Sequence, residues 1–175
     1  MALRPGHLIK RFVATAIPLG PRAANSSWAE SHLLGDEVLL WRQMKRADRR
    51  HACGVARRVE RALGDVATRP VVAAALLHDV GKIDANFGAY RRVVATVSGL
   101  AVRNDPSDID DWARSRGLTR RVGLYLQHPA IGGDLLGVAG SDPLTEAWAR
   151  EHHLPEDQWT VASDIARALK HADDD

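Results

Sequence analysis

Pro70-Val71-Val72-Ala73-Ala74-Ala75-Leu76-Leu77-His78-Asp79-Val80-Gly81-Lys82 is the stretch on which the reading of the fold turns. Pro70 suits the first turn of a helix, where a missing N–H is no loss. From Val71 onward the side chains are apolar with no polar face, the pattern of a helix buried on all sides. A helix over Val71–Val80 is therefore expected, with Gly81 ending it. His78 and Asp79 stand at its far end. Neighbours in a helix point about 100° apart, so both can reach one ion lying beyond the terminus.

The flanking segments read as helices too. Pro5 opens one over Pro5–Ala16, which Pro18, Gly20 and Pro21 stop. Arg22 to Gly35 reads as loop with a short helix. Asp36 is placed to cap a helix carrying Val38, Leu39, Trp41 and Met44, and Asp48 to cap the next. That next helix has Val55, Val59, Ala62 and Leu63 on one stripe and ends at Gly64. Downstream, helices are expected over Phe87–Val102, from Ser107 or Asp108 to Trp112, and from Thr119 to Leu126. His128-Pro129 interrupts the last of these, because a residue before proline resists the α region, and Ile131–Val138 resumes it. Leu144–His153 follows, and Pro155 opens a final helix running to about Ala172. No segment alternates strictly between apolar and polar residues, so the expected class is all-α.

The 175 residues are 45% hydrophobic and 26% charged, enough for one domain with a core. With 24 basic against 22 acidic residues the formal charge is only +2, too small an excess to suggest specific nucleic-acid binding despite a pI near 9.0. A lone Cys53 closes no intramolecular disulfide. The apolar run Phe12–Ile17 is too short for a signal-peptide core or a bilayer span. A cytoplasmic location without a membrane partner is the expectation, and oligomeric state is open. No glycine-rich phosphate loop, Ser-His-Asp order or cysteine-based zinc motif occurs.

Histidine is enriched, with eight residues. Their placement carries the argument. His51 shares the apolar stripe of Val55 and Val59, while His78 follows Ala74 by four, His128 follows Leu124 by four and His152 follows Trp148 by four. Asp173 likewise follows Leu169. One histidine on an apolar face is ordinarily a satisfied core residue, and His7, His32 and His171 lack even that pattern. Several titratable groups at core positions, however, would each cost about 1–3 kcal/mol if buried unpaired. A shared ion removes that cost, because imidazole and carboxylate are good ligands for Mn, Fe, Co and Zn. Arg49, Arg50, Arg57 and Arg58 around His51 read as a charged helix face or an anion-attracting rim.

The string His78-Asp79-Val80-Gly81-Lys82, with Leu76-Leu77 before it and His51 upstream, resembles the HD superfamily of metal-dependent phosphohydrolases. His128-Pro129-Ala130-Ile131-Gly132 is similar to the H-P-x-x-G element of the HD-GYP subgroup. The doublet His152-His153 resembles that subgroup's double histidine, and Leu169-Lys170-His171-Ala172-Asp173 its final A-D element. The Gly-Tyr-Pro loop is replaced by Leu154-Pro155-Glu156-Asp157-Gln158-Trp159, and Ala47 stands where some members carry a third-metal glutamate. The resemblance covers roughly 48–173.

It implies a single-domain helical HD fold over 48–175; residues 1–47 match nothing in that pattern and read as an N-terminal helical extension. It also implies two divalent transition metals, Fe or Mn foremost, with Co, Ni or Zn as further candidates. His51, His78, Asp79 and Asp173 would hold one; Asp79 would bridge to the second, held by His128, His152 and His153. Asp164 is a rival to Asp173 as the last ligand. Asp79 and Lys82 would carry the catalysis, Lys82 reaching a substrate phosphate as a point charge. The implied function is a phosphohydrolase or phosphodiesterase acting on a nucleotide or other small phosphate ester through a di-metal-activated hydroxide. A di-iron oxygenase on the same fold and a non-catalytic nucleotide-binding module are the alternatives.

Overall fold

The computed structural model describes residues 23–85 and 106–175. The helices expected over Pro5–Ala16 and Phe87–Val102, and His7, lie outside the described residues. Within them the chain is all-α: α1 Ala23–Glu30, α2 Gly35–Gln43, α3 Arg46–Leu63, α4 Arg69–Leu77, α5 Lys82–Ala85, α6 Pro106–Arg114, α7 Gly117–Leu126, α8 His128–Val138, α9 Pro143–Glu151 and α10 Ser163–Asp174. No strand occurs among the described residues. None of their helices is long and apolar enough to cross a membrane.

The apolar run becomes α4, and every residue from Val71 to Leu77 is buried. It packs against α3 and α9, and α10 in turn packs on α3. Each fully buried Val or Leu contributes about 1.5–3 kcal/mol, so this helix is where the core begins. Trp41, Met44, Val55, Val59, Leu136, Trp148, Leu169 and Ala29 close around it in one continuous cluster. Trp28 and Trp159 pack partly buried against that cluster, and Trp112 belongs to a small separate one with Val122.

Several element starts differ from expectation. Helix α2 begins at Gly35, and the group that caps it is Glu37 rather than Asp36. The buried Glu37 carboxylate accepts the Leu34 N–H at 2.7 Å and faces Arg69 at 3.3 Å. Asp48 does not cap α3, which begins at Arg46; it is buried within the helix's first turn. Helix α7 opens at Gly117 rather than Thr119, and α8 starts at His128, with Pro129 in its first turn. Pro155 does not open the last helix. Buried Glu151 accepts the Thr160 and Val161 N–H groups and the Thr160 hydroxyl, which holds 160–161 out of the helix and delays α10 to Ser163.

The α4–α5 corner and the start of α8 meet without side chains between them. A Cβ at Gly81 would collide with the His128 carbonyl and lie 2.6 Å from the Gly132 nitrogen. Only two glycines allow this approach, and it brings His128 beside Asp79. Gly81→Ala should therefore destabilise by about 1–3 kcal/mol or more, since backbone cannot yield as a side chain would. Gly35→Ala, with open space around it, should be near neutral. Urea denaturation of both variants measures the difference.

Cys53 is buried on α3, and burial pushes its thiol up to about 11. Only about a thousandth of it is thiolate at pH 8. A thiol-specific disulfide reagent at pH 8 should react with native protein at least about a hundredfold more slowly than with the urea-unfolded chain, where an ordinary thiol pKa returns.

Candidate metal centre

Separate helices deliver the titratable groups to one place. His51 comes from α3, His78 and Asp79 from the end of α4, His128 from the start of α8, His152 and His153 from the end of α9, and Asp173 from the last turn of α10. His78, Asp79, His128, His152 and Asp173 are buried; His51 is half-buried and His153 exposed at the rim. Two groups form within which the potential ligand atoms lie within 4.8 Å of one another: His51, His78 and Asp79, and His128, His152 and His153. Asp173 joins the first, with Oδ1 2.8 Å from His51 Nε2 and 3.6 Å from His78 Nε2.

Asp79 stands between the groups with its oxygens divided. Oδ2 lies 3.5 Å from His78 Nε2, whereas Oδ1 lies 3.3 Å from His128 Nε2 and 3.7 Å from His152 Nε2. The rings adjoin throughout, with centroids 5.3 Å apart for His78–His152, 5.4 Å for His128–His152 and 4.0 Å for His152–His153.

Hydrogen bonding decides which nitrogen faces inward. His78 Nδ1 lies 3.0 Å from the Ala75 carbonyl, His128 Nδ1 2.6 Å from that of Tyr125, and His152 Nδ1 2.9 Å from that of Ala149. A carbonyl only accepts, so each Nδ1 donates, and in a neutral ring Nε2 then carries the lone pair. All three Nε2 atoms are buried without a hydrogen-bond partner. Leaving them so costs about 1–3 kcal/mol each. Ligating imidazoles are held this way, one nitrogen tied to a carbonyl and the other presented to the ion. The residues present fit a transition-metal ion.

Charge supports the same conclusion. Burial lowers His51, His128 and His152, the last held well below the ordinary value by its imidazole neighbours as well. Partial desolvation of its ring and the neighbouring His128 lower His153 as well. These four rings are neutral at pH 7, as ligands must be. His78 is the exception: burial would lower it, but Asp79 and Asp173 outweigh that and raise it. Burial would raise the Asp79 carboxyl, yet Lys82 and His78 hold it well below the usual carboxylate range.

Lys82 stands with its Nζ 2.5 Å from Asp79 Oδ2, so its ammonium is on a carboxylate rather than facing open solvent. Asp164 is exposed in the first turn of α10, nine residues or about 13 Å of helix from Asp173. Of the arginines around His51, Arg57 lies over the Trp28 ring at 3.4 Å, Arg58 donates to the Ala172 carbonyl at 2.8 Å, and Arg49 lies 6.0 Å from the Trp41 ring centroid. Their contacts are those of a packed helix face. His32 lies against Trp28 with the rings tilted by 54°, and His171 is exposed beside Asp175.

Two contributors escape a sequence reading. Asp48 is buried one turn before His51, and its charge acts on Lys82. The signal for it was its place on the His51 stripe. Tyr125 holds the His128 ring through its carbonyl, for which no side-chain pattern exists.

No family model, curated protein or solved structure matches the chain significantly.

Asp173→Asn should reduce manganese(II) affinity by about tenfold or more and shrink the metal-dependent rise in melting temperature, because that rise follows occupancy. Asp164→Asn should match the wild type in both. Calorimetric titration and thermal melts with and without metal measure this; greater damage from Asp164→Asn would reverse the assignment.

Proposed function

We propose that the protein is a metal-dependent hydrolase of the HD type, cleaving a phosphate ester or phosphodiester at a two-ion centre. The observation that carries this reading is the division of Asp79 between two histidine groups. One carboxylate with an oxygen toward each group suits a bridge, and seven candidate ligands exceed what one tetrahedral or octahedral ion takes. His51, His78, Asp79 and Asp173 would hold one ion, and Asp79, His128, His152 and His153 the other. Bound there, two ions supply Lewis acidity toward a phosphoryl oxygen and a nucleophile at neutral pH.

The chain's own residues do the rest. The Nδ1 donors of His78, His128 and His152 keep the three rings from turning. Asp79 sets the spacing between the groups. Lys82, adjacent to Asp79, offers an ammonium for the charge that builds on equatorial phosphoryl oxygens. Exposed His153 and half-buried His51 stand at the rim of the centre, the side from which a small phosphorylated substrate such as a nucleotide would enter. The segment after His153 lacks the Gly-Tyr-Pro loop, so cyclic di-GMP is not the substrate we favour.

The test is reconstitution with manganese(II) or anaerobic iron(II), followed by turnover of p-nitrophenyl phosphate, bis-p-nitrophenyl phosphate and a nucleotide panel. Two ions per chain and metal-dependent phosphate release are expected. Asp79→Asn should lower turnover by at least about a hundredfold. Oxygen uptake by the iron form without any phosphate release would overturn the hydrolase in favour of an oxygenase.

A further inference from the structure

We propose that Lys82 is the resident counter-cation of Asp79 and competes with the ion of the first group, so that filling that group releases the Lys82 ammonium. The inference rests on the two-ion reading above. Lys82 opens α5 immediately after Gly81, and its side chain is 10% exposed against 6% for Asp79. Its Nζ lies 2.5 Å from Asp79 Oδ2. That oxygen is the one turned to His78, while Oδ1 is turned to His128 and His152. The ammonium therefore occupies the face of the carboxylate that serves His51, His78 and Asp173, and leaves the other face to His128 and His152.

Two cations sharing one oxygen in a water-poor site repel strongly. An ion entering the first group must therefore displace the ammonium. Lysine is suited to yield, being a point charge on a flexible four-carbon stem. The Tyr125 ring, its centroid 5.6 Å from Nζ, offers an alternative seat with favourable cation–π character. Once off Asp79, the ammonium has donors to spare for an anion. Ion and anion then bind with mutual assistance, and such coupling is reciprocal. In the metal-free protein the same lysine keeps Asp79 from being a lone buried charge.

The experiment is titration of manganese(II) into metal-free wild-type, Lys82→Met and Lys82→Arg proteins, with His51→Ala and His128→Ala added to assign each step to a group. Lys82→Met should tighten the first group by about tenfold or more while changing the second by no more than about threefold, within the usual range for coupled charges. Lys82→Arg, which keeps a cation in place, should stay near wild type. Equal tightening of both groups would reduce the effect to general loss of positive charge and overturn the competition. So would an unchanged or weakened first group in a folded variant. A measurement on wild-type protein stands beside this if Lys82→Met does not fold. Reductive methylation of Lys82, read by mass spectrometry, should rise several-fold when manganese(II) is added; unchanged labelling overturns the release. Wild-type protein that binds no ion would overturn the two-ion reading together with this one, whereas ions bound without a selective Lys82 effect overturn this inference alone.

Discussion

Asp79 is a carboxylate carried into the interior by the most buried helix of the molecule, and an isolated charge there would cost far more than a protein of this size can spare. The surrounding structure answers that charge at one oxygen with the Lys82 ammonium. The neutral His128 and His152 turn lone pairs toward the other, an arrangement that a shared cation would reconcile. Each of these partners comes from a different part of the chain, so the packing of α4, α8 and α9 is inseparable from the electrostatics at their meeting point. A core that positions a carboxylate so deeply must also position a cation beside it, or it would not be stable.

The glycine contact shows how this is done in backbone terms. Gly81 and Gly132 let the α4–α5 corner touch the first turn of α8 directly. Side chains there would hold the two apart, and His128 would no longer reach Asp79. In the sequence these glycines are members of two motif-like strings far apart in the chain. In the structure they are two halves of one contact. The physical reason for glycine at both positions is close approach, not a special backbone angle.

Much of this was legible in the residues. The unbroken apolar run of α4 could only be a buried helix, and titratable groups recurring at core positions on several helices implied a shared interior site. Asp173 was legible from its spacing behind Leu169. The element boundaries were less so, because tertiary hydrogen bonds override local signals. Pro155 reads as a helix start, but Glu151 captures the Thr160 and Val161 amides and the helix waits until Ser163. Asp36 and Asp48 look like caps, yet Glu37 reaches back to Leu34 and Asp48 turns inward. Aspartate is favoured at caps and at buried charged sites for different reasons, and spacing alone does not separate them. The charge of Lys82 was legible; its partner was not, since an i, i+3 pair across a helix break has no pattern of its own.

The carbonyls that hold the imidazoles have a wider meaning. Ala75, Tyr125 and Ala149 lie in the last turns of α4, α7 and α9, where carbonyls lack partners within the helix. Asp173 lies in the last turn of α10. The C-terminal ends of α4, α7 and α9 thus lie at the centre, each with about half a negative charge, while α8 presents its N-terminal end there at His128, with about half a positive one. The balance of these backbone ends is negative, and it favours a cation independently of any single side chain around the centre.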